Sequence, residues 1–222
     1  MPTLFLTGSS GALASAIRDL YLAEGWSVAG FDRAPNDFLH ERFAFFAIDA
    51  TSESSVESAF TEASERFGHP RALIATIGGV RSWKTIEETP LEDFRFLVDL
   101  NLVSFFLASK HAMKLMPTEG SIVAIGALPA LDPAAKRGAY AATKAGVVNL
   151  TQVLAEEGKT RGVNANCIVP TVIHTKSNEE WGSAEDIPKW TEPSDIAALC
   201  FHLTSPQGAA VNGSVIRIPN KL

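Results

Sequence analysis

Two rhythms of hydrophobic and polar positions run along the chain. Short apolar runs of about 4–8 residues, bounded by Gly, Asp or Pro, have the length of buried strands, and longer stretches repeating apolar residues every three or four positions read as helices. Runs at 4–7, 26–31, 43–48, 72–77, 120–125, 163–169 and 214–218 predict strands. The run 163–169 is read as interrupted by Pro170. Helices are predicted after the first run, where Ala14, Ile17, Leu20, Tyr21 and Leu22 fall at helical spacing. Further helices are predicted at 52–67 behind a Ser cap, in the Ala-rich run that holds Tyr140, and at 193–203 behind a proline. A long amphipathic helix is predicted at 90–116, with Leu91, Phe94, Leu97, Val98, Leu102, Phe105 and Phe106 mostly on its buried side. Asn101 is the odd residue on that side. A buried amide needs partners, so it either caps internal backbone groups or orders a water near a site.

Strands alternating with helices, without internal repeats or a low-complexity linker, imply an α/β fold. It is a single Rossmann-like doubly wound parallel sheet flanked by helices, in one domain over 1–222. Ligands then bind at the carboxyl ends of the strands. A loop at about 171–192 carries Trp181 and Trp190, which read either as a substrate lid or as pins to the core.

Composition narrows the partners. With 46% hydrophobic and 20% charged residues the 222-residue chain can bury one sizeable core. A net charge of -6, a pI near 5.4 and no Lys/Arg block argue against a nucleic-acid backbone. Cys167 and Cys200 have no paired spacing and read as buried free thiols of a reducing compartment. The start MPTLFLTGSS has no basic n-region, and no run approaches the ~18 apolar residues of a spanning helix. A cytoplasmic protein without membrane partners is expected. No metal site is expected, because His40, His69, His111, His174 and His202 are scattered without ligand spacing. TGSSG lacks the elbow of a serine hydrolase.

Three features carry chemistry. The turn TGSSGALA follows a strand and opens a helix, where Gly8 and Gly11 permit close approach and free N–H groups attract a pyrophosphate. Such glycines also serve simply to bend the chain. Asp32, about twenty residues further on, can accept hydrogen bonds from an adenosine ribose and would repel a 2′-phosphate, favouring NAD(H) over NADP(H). Arg33 beside it can stack on adenine or tolerate a phosphate. Finally, Tyr140 and Lys144 stand four apart on one helix face, where an ammonium favours phenolate and lowers a tyrosine pKa by ~1–3 units. That suits proton transfer near neutral pH.

Taken in order, TGSSGALA, Asp32, Asp49, the IGG after the fourth strand, Asn101, YAATK and PTVIHT resemble the short-chain dehydrogenase/reductase family over essentially the whole chain. The resemblance implies that Tyr140 donates or accepts the proton. It further implies that Lys144 lowers the tyrosine pKa and holds the nicotinamide ribose, and that Asn101 positions a relay water. Cofactor contacts are implied for Gly8, Ser10, Gly11, Ala12 and Leu13, for Asp32, Arg33, Asp49 and Ala50, and for Ile77, Gly78 and Gly79. Pro170, Thr171, Ile173 and Thr175 complete them. Ala127, Trp83 and Trp181 are the implied substrate contacts. Members of the family pair through the long helix and the helix after the tyrosine, so a homodimer or homotetramer is expected.

The chain departs from the family pattern in three places. Ala127 stands where a serine usually binds the substrate oxygen, ATIGG replaces NNAG after the fourth strand, and Ala14 replaces a glycine. The dihydropteridine reductase branch is similar in its GxxGAL opening, its alanine at the serine position and a tryptophan after the double glycine, matched by Trp83. Losing a donor aimed at a developing oxyanion costs roughly 2.7–4 kcal/mol, which a ketone reductase would feel. A quinonoid dihydropterin, with its conjugated imine, has less need of that donor, and its flat ring could stack on Trp83. Two alternatives stay open. One is a carbonyl or secondary-alcohol oxidoreductase in which Thr76 or Ser82 replaces the serine. The other is a non-catalytic dinucleotide-binding sensor, motivated by Ala127 and opposed by the intact Tyr140, Lys144 and Asn101.

Overall fold

The apolar runs pair in one seven-stranded sheet, all parallel, with the order β3-β2-β1-β4-β5-β6-β7. The computed structural model describes residues 1–35, 37–81 and 83–220. Its strands are β1 (Thr3–Thr7), β2 (Ser27–Asp32), β3 (Phe43–Ala47), β4 (Ala72–Ala75), β5 (Ser121–Ile125), β6 (Asn164–Pro170) and β7 (Val215–Ile218). The principal helices are α1 (Ala12–Ala23), α2 (Glu53–Phe67), α3 (Leu91–Leu97), α4 (Ser104–Leu115), α5 (Gly138–Gly158), α6 (Lys176–Glu179) and α7 (Pro193–Thr204).

Every residue of β1, β4 and β5 is buried, the mark of strands covered on both faces. Leu4, Leu6, Ile74 and Ile168 point to the layer of α1 and α7, where Ile17, Tyr21 and Leu203 meet them. Phe5, Phe31, Leu73 and Ile122 point to the opposite layer, where α2, α4 and α5 contribute Phe60, Phe105, Ala112 and Leu154. Phe60 lies 4.4 Å from Phe31 and 5.0 Å from Phe5, centroid to centroid. The strand order reverses between β1 and β4, so the chain leaves their carboxyl ends in opposite directions and opens a crevice there.

The long helix departs from expectation in two ways. Between α3 and α4 the backbone widens into a π segment, Val98–Val103, with Asn101 inside it. The buried line then runs through Leu97, Asn101, Ser104, Phe105 and Ala108, whereas Leu91, Phe94 and Phe106, expected inside, are exposed together with Phe96. The helix lies on the sheet layer with one side only, and its second apolar face is left partly exposed, with Arg81 over Phe96 and Lys110 near Phe106. Over Leu91–Leu115 the helix is long and apolar enough to cross a membrane, yet half of its most apolar window is buried within the protein.

Smaller differences are local. Ser52 is the N-cap of α2, but its hydroxyl makes no cap hydrogen bond. Pro170 ends β6 rather than interrupting it, pairing with Ile218 at a position where its missing N–H is harmless. The loop at 171–192 contains α6, a 3₁₀ turn Ile187–Lys189 and an isolated bridge between Ile173 and Thr191. Trp190, 2% exposed, pins it to the core, while Trp181 stays largely exposed and packs tilted against Trp190, 5.1 Å between ring centroids.

Candidate active site

A cleft of about 730 Å³ opens at the carboxyl ends of the strands, over the crevice between β1 and β4. One end is built by the glycine turn. Gly8 has φ +74°, and a Cβ there would come within 2.6 Å of Thr76 Oγ1 and 3.0 Å of the Ile77 nitrogen. Only glycine fits. The amides of Gly8 and Ser9 both donate to the Phe31 carbonyl, and Gly11 caps α1 without a side-chain partner or an acidic first turn. Gly8, Gly11, Ala12 and Leu13 therefore face the cleft with the electropositive start of a helix.

Asp32 closes β2 at the same end. Its carboxylate accepts from the backbone N–H of Ser10 at 3.0 Å and of Arg33 at 2.6 Å, which fixes its orientation. Ser10, Arg33, Asp49 and Ala50 lie outside the cleft wall, around the ends of β2 and β3. Asp49 accepts from the hydroxyl and amide of Thr51, and these bonds, with a smaller contribution from Arg33, hold its carboxyl below the usual range.

At the centre, Ile77, Gly78 and Gly79 follow β4. A Cβ on Gly78 would lie 2.7 Å from Lys144 Nζ and 2.9 Å from Asn101 Oδ1. Asn101 Oδ1 accepts from the Gly79 amide at 2.9 Å, and its Nδ2 donates to the Gly79 carbonyl at 3.0 Å and to Thr143 Oγ1 at 3.2 Å. Of the two roles open to this asparagine, the backbone cap is the one realised within the chain. Lys144, 4% exposed, donates to the carbonyl of Ile125 at 2.8 Å. Burial pulls its pKa down to about 8, against an opposing influence of Cys167.

The expected pairing of phenol and ammonium is not what sets the acidity of Tyr140. Burial pushes its hydroxyl up to about 12, and the cation acting against that rise is Arg137, not Lys144. Helical spacing put Tyr140 and Lys144 on one face, but the lysine is turned towards β5 by the Ile125 carbonyl. Arg137 stands just before α5 with its guanidinium carbon 3.2 Å from the centroid of Trp83, and Trp83 in turn meets Tyr140 edge to face at 6.3 Å. One face of the Trp83 ring, expected to receive a flat substrate, is thus covered by Arg137.

Ala127 follows β5, 6% exposed, and presents only its methyl to the cleft. Thr76, one candidate for the missing serine, is excluded: its hydroxyl donates to the Thr7 carbonyl at 2.7 Å and ties β4 to β1. Ser82, the other candidate, lies outside the described residues. Pro170, Thr171, Ile173, Thr175, Trp83 and Trp181 all line the cleft.

Sequence reasoning missed three participants. Thr143 carried no signal beyond its place in YAATK. Arg137 was visible only as one residue of a loop, although its place three before Tyr140 puts it a helical turn away. His174 is clamped between Glu192, at 3.0 Å from Nδ1, and Glu179, at 2.7 Å from Nε2, and these carboxylates raise its pKa. That clamp ties α6 to the start of α7 beside Trp190, 6.3 Å from the His174 ring. Among the described residues no three His, Cys, Asp or Glu side chains are grouped to hold a metal ion.

Comparison with known proteins places this geometry. A family model described as enoyl-(acyl carrier protein) reductase matches residues 11–219. The chain is 27% identical to the 3-oxoacyl-[acyl-carrier-protein] reductase of Vibrio cholerae, over 96% of this chain and 93% of that one. It is 24% identical to the dihydropteridine reductase of Dictyostelium discoideum, covering 98% and 94%. A short-chain type dehydrogenase/reductase from Mycobacterium ulcerans superposes with a TM-score of 0.92 at 26% identity, covering 98% of this chain and 88% of that one. With a helix-capped glycine turn, a tyrosine and lysine one turn apart and an all-parallel sheet presenting both to one cleft, the chain belongs to the short-chain dehydrogenase/reductase family and is an NAD(P)-dependent oxidoreductase.

Proposed function

We propose that the chain uses NADH to reduce a small cyclic conjugated acceptor such as a quinonoid dihydropterin, with Tyr140 as proton donor. The observation that carries this reading is Ala127. The cleft wall there offers a methyl where a carbonyl reductase aims a donor, and the nearby Thr76 hydroxyl is engaged with Thr7. An acceptor whose negative charge is spread over a conjugated ring tolerates that wall. The likeness to a dihydropteridine reductase supports the same substrate class.

The residues fit a dinucleotide. Gly8 and Gly78 leave room that a Cβ would fill, the start of α1 suits a pyrophosphate, and the Asp32 carboxylate suits ribose hydroxyls while disfavouring a 2′-phosphate. Ser10, Arg33, Asp49 and Ala50 would flank the adenosine, and Pro170, Thr171, Ile173 and Thr175 the nicotinamide half. When bound, the reduced nicotinamide supplies a hydride. The chain's own part is to hold and move protons. Tyr140 donates its phenolic proton to the acceptor, Lys144 is placed to bind the ribose from its anchor on Ile125, and Asn101 fixes the Gly79 backbone opposite. Loop 171–192, pinned by Trp190, keeps water from the acceptor. Oxidation of NADH in the presence of quinonoid dihydropterin tests the reading, with NADPH and simple ketones in parallel. Rapid turnover of ketones without turnover of the pterin would replace it by carbonyl reduction, the reading favoured by the likeness to the 3-oxoacyl reductase.

We also propose a homodimer or homotetramer in a reducing, cytoplasmic setting. The exposed Leu91, Phe94, Phe96 and Phe106 of α3 and α4, with Val153 of α5, support self-association, and the buried free thiols of Cys167 and Cys200 support the compartment. Light scattering of the purified protein checks the first.

A further inference from the structure

Among the described residues four charged side chains line the cleft, and three of them are already engaged. Asp32 accepts from two backbone amides, Asp132 is paired with Arg217 at 2.6 Å, and Lys144 donates to Ile125. Arg137 is the exception. Among the described residues its guanidinium has no ion pair and no hydrogen bond, and it lies over the face of Trp83. Stacking holds a guanidinium in plane without using its N–H groups, so the fork of donors stays available at its edge. A chain with a net charge of -6 has therefore placed a half-buried cation, without a counter-ion, on the same wall as Tyr140. Asp132, a carboxylate of the same cleft lining, is instead paired with Arg217.

We propose that Arg137, supported by Trp83, forms an anion-reading subsite at the substrate end of the cleft, so that the preferred acceptor is a planar conjugated molecule carrying a carboxylate. This rests on the reductase reading above and narrows its substrate class. A carboxylate bound to the guanidinium edge lies alongside Trp83, leaving the conjugated ring to extend towards the Tyr140 hydroxyl. The pairing is bidentate, which orients the acceptor as well as attracting it. Arg137 acts here as a specificity-determining residue, and proton delivery remains with Tyr140.

The test is equilibrium binding to the protein saturated with NAD⁺, measured by titration calorimetry with two matched pairs. These are pterin-6-carboxylate against 6-hydroxymethylpterin, and naphthalene-2-carboxylate against naphthalene-2-carboxamide. The expected result is that each carboxylate binds at least about tenfold more tightly than its neutral partner, as a charge-assisted hydrogen bond provides. Arg137→Gln should erase the difference, and Arg137→Lys should keep only part of it, because it retains charge without the planar fork. An unchanged NAD⁺ affinity shows that each variant is folded. Carboxylates that bind no better than their neutral partners, or that fail to bind at all, overturn the proposal, as does a preference that survives Arg137→Gln. Failure of the pterin reading shows separately: no NADH oxidation with quinonoid dihydropterin while the carboxylate preference persists overturns the acceptor and leaves the subsite standing.

Discussion

Asn101 grips Gly79 by both of its backbone groups, accepting from the amide at 2.9 Å and donating to the carbonyl at 3.0 Å. One side chain on a helix thereby fixes the exit of β4, which lines the cleft. Replacing it with leucine keeps the volume and removes both bonds, stranding two polar groups beside a side chain that is 1% exposed. Asn101→Leu should destabilise the protein by about 1–3 kcal/mol, read from the midpoint of urea unfolding, and should lower turnover as well.

Gly78→Ala tests the crowding around Lys144. The new methyl would meet Nζ at 2.7 Å and Asn101 Oδ1 at 2.9 Å, so the lysine must leave the Ile125 carbonyl or the loop must shift. A displacement of that size costs about 10²-fold in rate. Steady-state kinetics with NADH as varied substrate should show the loss; wild-type values for the alanine variant would mean that Lys144 does not need this position.

Tyr140→Phe removes the hydroxyl and nothing else. Turnover should fall by roughly 10²–10⁴-fold, while NADH binding, followed by its fluorescence, stays close to that of the unmodified chain. Undiminished turnover would remove Tyr140 from the role assigned to it.

Burial of Lys144 has a signature in stability. Its folded value of about 8 lies below the ordinary 10.5, so between these values the unfolded chain holds a proton that the native state has released. Stability relative to Lys144→Met should therefore rise as pH increases from about 8 to 10.5. Tyr140 works in the opposite sense. Its folded value of about 12 exceeds the ordinary 10.0, so stability relative to Tyr140→Phe should fall over that interval. Urea titrations at a series of pH values check both signs.

His174 gives the substrate loop its own pH dependence. Glu192 and Glu179 raise its pKa, so the clamp contributes fully below the ordinary imidazole value of 6.5 and is lost as pH rises through the raised one. Hydrogen exchange across 174–192, corrected for intrinsic rates, should accelerate over that rise, and His174→Gln should abolish the change.

Much of this was legible from the residue pattern because strands buried on both faces have an unmistakable composition. The runs containing Leu4, Phe31, Ile74, Ile122 and Ile168 could not be placed at a surface, and a glycine turn followed by Asp32 fixes where their ends must meet a ligand. Direction was harder to read than position. Spacing brought Tyr140 and Lys144 together, but only the Ile125 carbonyl, on a strand close in space and distant in sequence, decides where the ammonium points. Arg137 was opaque for a related reason: a long side chain before a helix can lie anywhere until Trp83, 54 positions earlier in the sequence, supplies a surface for it. The exposed Leu91 and Phe94 satisfied the periodicity of a buried face, since periodicity does not distinguish a core from an exposed apolar surface.

The π segment at Val98–Val103 has one more consequence. A wide turn holds one residue more than an ordinary helix needs over the same length, so deleting a single residue there would let a regular α-helix run straight through. Such a deletion would sacrifice no backbone pairing. Tightening the turn to α geometry with every residue kept would instead rotate everything on one side by about 100° against the other, swinging Asn101 off Gly79 or the Phe105 face off the sheet. The wide turn absorbs the extra residue, so that α3 and α4 keep the phase in which each meets its own partners.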